Sequence, residues 1–332
     1  MRKRNRIRAI CVAAALVLAV AGCSSSGGKK QQEQGANLGS SGKASTPRYT
    51  VAMVTHAAPG DTFWDIIQNG ARAAASKDNI QIKYSNDQDA GNQANLVQNA
   101  IDSKVDALAV TNPNTKALAP EIQKAVKAGI PVVMFNAGFD DWQKTGALMY
   151  FGQDEKLAGV AAGKRLSQEG AKKVLCVVQT QGQVQLEDRC AGVKQGFSGT
   201  MEKMYVNGTD LTSVTSDIQA KLTQDKSIDH VITLAAPVAL AAVQSVQQAN
   251  SSAKIATFDT NAQLVKAVKQ HQVEWAIDQQ PFLQGYESID SLWLYLTNGD
   301  VIGGGQPVLT GPAFIDSSNI DQVAKYAQRG TR

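Results

Sequence analysis

From Tyr49 onward, short apolar runs alternate with longer stretches whose apolar positions recur every three or four residues. The short runs predict strands at Tyr49–Thr55, Ile80–Tyr84, Ala107–Val110, Val132–Phe135, Ala147–Phe151, Lys173–Val178, Val231–Leu234, Ile255–Phe258 and Trp275–Ile277. Between them, sets such as Ile66, Gly70, Ala73 and Ala74, or Leu118, Ile122, Ala125 and Val126, fall on one helical face. Strands that alternate with helices of this length predict right-handed βαβ units and parallel sheets, an α/β fold. About 280 residues carry the pattern, more than one core comfortably serves, so two open sheets of roughly four to six strands are expected.

The pattern fails before Tyr49. Arg2, Lys3, Arg4, Arg6 and Arg8 form a basic head, and Ile10 to Ala21 is apolar. That run is too short to span a bilayer but suits a secretory signal. It ends in Val20-Ala21-Gly22-Cys23, which resembles a bacterial lipobox, with Cys23 acylated as the new N-terminus. Residues 1–22 are therefore expected to be a lipoprotein signal peptide. One acyl chain binds a membrane only marginally, so a two-chain anchor makes physical sense. Residues 23–48, rich in Ser, Gly, Lys and Gln, are expected to be a flexible tether reaching some 25–30 Å.

Removing the leader changes the charge. The whole chain has 33 Lys and Arg against 29 Asp and Glu; without the five leader cations, 28 face 29. A near-neutral body gives no reason to expect nucleic acid as a partner. Of the four cysteines, Cys176 lies in a predicted strand and Cys190 opens the following helix. A βα turn can bring them together, and an oxidising compartment favours a structural disulfide over two buried free thiols.

In open α/β sheets, ligands bind beyond the carboxyl ends of the strands. Those ends here are His56-Ala-Ala-Pro-Gly-Asp61-Thr-Phe63-Trp64, Thr111-Asn112-Pro113-Asn114, Asn136-Ala137-Gly138, Asp259-Thr260-Asn261 and Asp278-Gln279-Gln280. Amides and carboxylates can pair with the hydroxyls of a polyhydroxylated ligand, and the adjacent aromatics can cover the C–H face of a ring. Any one of these Asp and Asn residues could equally cap the helix that follows it.

Taken in order, these segments resemble ribose-binding-type solute-binding proteins, the type I periplasmic binding proteins of sugar importers. Asp61-Thr-Phe63-Trp64 with Gly70 resembles their Asn-Pro-Phe-Phe…Gly segment, and Thr111-Asn112-Pro113 their Asn-Pro strand end. Gly129-Ile-Pro-Val-Val followed by Phe135-Asn136 resembles Ile-Pro-Val…Asp, Phe258-Asp259 their Phe-Asp, and Gln279-Gln-Pro281 their hinge Gln-x-Pro. The resemblance spans nearly all of Tyr49 to Ile320. It implies two Rossmann-like (flavodoxin-like) lobes joined by a three-strand hinge: residues 49–150 with 280–308, and 151–279 with 309–332. It also implies a ligand site at Asp61, Phe63, Trp64, Asn112, Asn136, Asp259 and Gln279. Apart from the resemblance, His56 and Trp142 could add ring contacts or serve as packing or surface residues.

Four positions depart from the family pattern. Its Asp-Arg pair becomes Asn136-Ala137, its Asn-Asp pair becomes Ala235-Ala236, and its first-loop proline becomes Thr62. Its site arginine upstream of Arg189-Cys-Ala-Gly192 falls at Glu187, which is thus the expected ligand contact on that helix. A pocket without those arginines points to a polyol, modified sugar or cyclitol. No His-Glu-x-x-His, Gly-x-Ser-x-Gly or phosphate-loop motif argues for an enzyme, and no cofactor or metal is expected. The implied role is that of a monomeric lipoprotein on the outer face of the cell membrane that delivers ligand to the permease of an ABC importer. The alternative is a protein that presents ligand to a membrane sensor without transport.

Overall fold

In the computed structural model, which describes residues 43–332, twelve strands are found. They are β1 (Tyr49–Thr55), β2 (Ile80–Asn86), β3 (Ala107–Val110), β4 (Val132–Phe135), β5 (Met149–Gly152) and β6 (Lys173–Val178), then β7 (Thr200–Tyr205), β8 (His230–Thr233), β9 (Lys254–Phe258), β10 (Trp275–Asp278), β11 (Val308–Leu309) and β12 (Ala313–Asp316). One sheet has the order β11-β5-β4-β3-β1-β2, the other β12-β10-β9-β8-β6-β7. Matched strand for strand, the two orders are the same. Every pairing is parallel except β10 with β12, so the second sheet carries an antiparallel edge. This is the two-lobed α/β fold the alternating pattern predicted. Three strands were not anticipated: β7, β11 and β12. The leader, Cys23 and most of the tether lie outside the described residues.

Both faces of each sheet are buried, as parallel sheets require. Val51 and Met53 of β1 point into one core, and Ala52 and Val54 into the core on the opposite face. Helices α1 (Thr62–Asp78), α2 (Ala90–Asp102), α3 (Thr115–Lys127) and α4 (Trp142–Thr145) belong to the first lobe, and Trp142 is buried in its core. Helices α5 (Glu155–Gln168), α6 (Val184–Gly196), α7 (Leu211–Gln224), α8 (Ala236–Gln248) and α9 (Ala262–Lys269) belong to the second. Helix α10 (Pro281–Asn298) returns to the first lobe, where Ile289 and Leu292 join its core, and α11 (Ile320–Gln328) to the second.

The chain thus passes between sheets three times: after β5, after β10, and between β11 and β12. Each helix that follows one of the first two passages is seated on its own lobe through glycines. A Cβ at Gly285 of α10 would stand 2.0 Å from the Ile67 carbonyl of α1, and one at Gly70 would stand 1.9 Å from that of Phe282. In the second lobe, Gly159 of α5 and Gly192 of α6 meet as closely, with Cβ positions 2.3 Å from the Arg189 carbonyl and 2.2 Å from that of Lys156. The same α6 is tied to β6 by a disulfide between Cys190 and Cys176, whose Cα atoms are 6.1 Å apart.

Candidate functional site

The strand ends of both lobes converge on a cavity of about 240 Å³. At roughly 30 Å³ per water this holds about eight waters, the scale of one hydroxylated ring rather than an oligosaccharide. His56, Asp61, Phe63, Trp64, Asn136, Asp259 and Gln279 all line it. The aromatic side comes from the start of α1, whose N-cap is Asp61: its Oδ1 accepts from the Phe63 N–H at 3.1 Å. The capping role and the cavity position therefore coexist in one residue, and burial pushes the Asp61 carboxyl upward. Trp64 stands edge-on to His56 at 4.7 Å and to Phe63 at 5.4 Å, which fixes the indole in place.

His56 links the lobes. Its Nε2 accepts from Gln185 Nε2 of α6 at 2.9 Å, so its Nδ1–H donates to Thr111 Oγ1 at 2.8 Å. Burial, reinforced by the nearby Arg189 charge, pushes the His56 pKa down to about 3, and the ring is neutral at physiological pH. Two more bonds cross the cleft: Val184 N–H to the Pro113 carbonyl at 2.9 Å, and Asn261 Nδ2 to Thr62 Oγ1 at 3.4 Å. The lobes stand closed over the cavity.

The opposite side is ionic. Arg189 of α6, 3% exposed, donates Nε and Nη2 to Glu155 at 2.7 and 2.9 Å and Nη1 to the Leu234 carbonyl at 2.9 Å. Nη1 also reaches Asp259 Oδ2 at 3.4 Å. Those bonds use four of the five guanidinium N–H groups and leave one. Asp259 Oδ1 accepts from Gln279 Nε2 at 2.7 Å. Burial pushes the Asp259 pKa up to about 7, against the opposing pull of Arg189 and the Gln279 bond. A carboxylate with one oxygen only weakly engaged, beside a guanidinium, is an acceptor and donor pair suited to vicinal hydroxyls.

Two expected site residues lie elsewhere. Glu187 does not face this cavity: it pairs with Lys203 Nζ at 2.5 Å and accepts from Tyr205 O–H at 3.1 Å. Two residues on a helix are about 200° apart, so with Arg189 turned inward Glu187 must turn outward. Both family arginines are absent, at Ala137 and Glu187, but Arg189 supplies a guanidinium to the cavity. Asn112 is fully buried but is not among the lining residues; its N–H donates to the Ala137 carbonyl at 3.1 Å and its Cβ packs under Gly138. Besides Arg189, the sequence reading missed Gln185 and the aliphatic patch of Leu234, Ala235 and Val238. Among the described residues, no group of three or more His, Cys, Asp or Glu is placed to hold a metal ion, and no helix is long and apolar enough to cross a membrane.

A family model described as a periplasmic binding protein domain matches residues 51–300. Among solved structures, a carbohydrate transporter protein of Acidothermus cellulolyticus in complex with myo-inositol is 61% identical. Its match covers 86% of this chain and 100% of that one, with a TM-score of 0.85. A periplasmic sugar-binding protein from a Legionella pneumophila ABC sugar transporter is 26% identical over 80% of this chain and 100% of that one, at TM-score 0.73. A xylose/arabinose-binding protein of Sulfolobus acidocaldarius is 23% identical over 260 residues, 73% of this chain; the chain spans 64% of that curated relative's length.

Proposed function

Because this chain belongs to the periplasmic binding protein family, we propose that it captures one neutral cyclitol or closely related sugar between its lobes. It then delivers the ligand to the permease of an ATP-driven importer. The observation that carries this reading is the cavity itself: an aromatic wall from one lobe faces the Asp259–Arg189 pair of the other. A cyclitol such as myo-inositol carries a hydroxyl on every ring carbon, so it can meet both walls at once. The complex of the 61% identical relative with myo-inositol supports this choice.

We take the two moving bodies to be residues 49–152 with 280–309 and residues 153–279 with 310–332; the expected boundaries after 150 and 308 shift because Phe151 and Gly152 of β5 pair with Val308 and Leu309 of β11 in the first sheet. A ligand touching both biases the closed arrangement by its differential affinity for it. The site at Asp61, Phe63, Trp64, Asn136, Asp259 and Gln279 is part of the same proposal, as is anchoring through a lipid on Cys23. Calorimetry with myo-inositol against ribose, xylose, arabinose and glucose tests the ligand. Tightest binding of an aldopentose would replace the cyclitol reading. Small-angle scattering with and without myo-inositol tests closure, which an unchanged radius of gyration would refute. Cys23→Ala protein that stays on membranes after a high-salt wash would remove the anchor.

A further inference from the structure

Four buried amide and carboxyl groups meet where the chain passes between the lobes, and their hydrogen bonds admit one consistent assignment. Gln279 Nε2 donates to Asp259 Oδ1 at 2.7 Å. Gln279 Oε1 accepts from Gln284 Nε2 at 2.9 Å and from Asn136 Nδ2 at 3.2 Å. Gln284 Nε2 also faces the Gln279 carbonyl at 3.1 Å and Thr310 Oγ1 at 3.0 Å, while Gln284 Oε1 accepts from Asn136 Nδ2 at 3.1 Å. Turning Gln279 over would set its oxygen against the Asp259 oxygen and its amide nitrogen against two other donors. Turning Gln284 over would aim its oxygen at two carbonyl oxygens and its nitrogen at Asn136 Nδ2. Each flip creates buried unpaired groups, which a folded interior strongly disfavours.

Gln284 is fully buried on α10 and is not part of the cavity lining, yet it touches residues at two of the three passages and at the end of β4. Its Oε1 and the Oε1 of Gln279, which it holds in place, together take both N–H groups of the Asn136 amide. Asn136 lines the cavity, and its Oδ1 has no protein partner among the described residues.

We propose that Gln284 is a positioning residue that sets the hydrogen-bond polarity of the site, turning Asn136 so that it offers the ligand an oxygen. This rests on the capture reading above and deepens it. Asn136 and Asp259 then both act as acceptors, so the ligand must donate a hydroxyl hydrogen to each. Neutral polyols satisfy that demand. Uronates and sugar phosphates, which would bring acceptor oxygens to the same corner, do not.

Two measurements test this. In uniformly labelled wild-type protein, a coupling through the hydrogen bond is expected between Gln279 Nε2 and the Asp259 carboxyl carbon. A coupling from Gln279 Nε2 to the Asn136 or Gln284 side-chain carbonyl carbon would overturn the assignment. The second measurement is calorimetry of Gln284→Glu with myo-inositol across pH, with circular dichroism melts as the check on folding. The introduced carboxylate cannot donate, so a loss of at least about tenfold against wild type is expected near neutrality. That loss should shrink as pH falls and the carboxyl regains a proton. A variant that binds like wild type, or one weakened equally at every pH, would reduce Gln284 to a packing residue. Wild-type protein that binds no cyclitol or monosaccharide would overturn the capture reading alone, and the coupling measurement would still decide this one.

Discussion

In the first lobe β4 is followed by Asn136, with φ 63°, and in the second β9 is followed by Asp259, with φ 67°. Each backbone N–H donates to the neighbouring strand, Asn136 to the Phe151 carbonyl at 2.9 Å and Asp259 to the Ile277 carbonyl at 2.7 Å. Asn and Asp tolerate this left-handed conformation better than most residues, and both turn a polar side chain into the same cavity. The backbone device is shared; the chemistry is not. Beyond β1 stand His56, Phe63 and Trp64, whereas the matched strand β6 leads to Gln179 and Gln183. Beyond β3 is Thr111-Asn112-Pro113, and beyond the matched β8 is the aliphatic Leu234-Ala235-Ala236. One lobe supplies ring faces and a neutral acceptor, the other a buried ion cluster. Either lobe alone would hold only half of a polyol.

The largest effect should come from removing the ionic half. Arg189→Leu strands Glu155 and Asp259, 4% and 7% exposed, without their cation. Breaking a buried pair in this way costs about 3–5 kcal/mol, read as a lowered urea midpoint of the ligand-free protein. A shift worth under about 1 kcal/mol would show that the cluster does not hold the second lobe together.

Next is the charge itself. Asp259→Ala should weaken myo-inositol binding by about ten- to a hundredfold, roughly 1.5–3 kcal/mol. Because the Asp259 pKa stands at about 7, wild-type affinity should rise as pH climbs from about 6 to 8, and Asp259→Asn should flatten that rise. His56, held neutral down to about 3, does not titrate in this window. Stability runs the other way. The folded protein keeps a proton that the unfolded chain releases near pH 4, so this group's contribution falls between about pH 4 and 7. A wild-type binding profile that is level across pH 6–8 would contradict the assignment of an ionised Asp259 to the ligand.

On the aromatic side, Trp64→Ala should cost a smaller amount, about 0.5–1.5 kcal/mol of affinity beyond the lost area. An equal or larger loss than Asp259→Ala would invert the ranking of the two walls. Glu187→Gln should leave affinity unchanged, because its partners Lys203 and Tyr205 lie outside the cavity. A tenfold loss there would restore Glu187 as a ligand contact.

Eight of the nine strands legible in the sequence are largely buried parallel strands that read as nearly continuous apolar runs, and the ninth, the half-exposed edge β2, shows as the alternation of Ile80, Ile82 and Tyr84 with polar residues. The three missed ones are edges: β7 reads Thr-Met-Glu-Lys-Met-Tyr and is half-exposed, β11 is two residues long, and β12 follows Gly311-Pro312. The polar strand ends were legible because α/β topology says where to look. Arg189 was not, since an isolated arginine in a helix ordinarily faces water. Its partner Glu155 lies 34 residues away. One signal was available: Leu186, Cys190 and Val193 mark the inward stripe of α6, and at about 100° per residue Arg189 lies nearer that stripe than Glu187.

The glycine seams carry a consequence for how such a protein can change over generations. Helices α10 and α5, which begin just beyond two of the passages, are pressed against α1 and α6 backbone to backbone. Side-chain replacement in the cavity therefore leaves those seams untouched. The moving parts reduce to three short connectors, around residues 152–155, 278–281 and 309–313, and of these only Gln279 also lines the cavity. New ligands can be explored by exchanging a few strand-end residues while the mechanics stay constant, with Gly70, Gly159, Gly192 and Gly285 as the positions where substitution is least free.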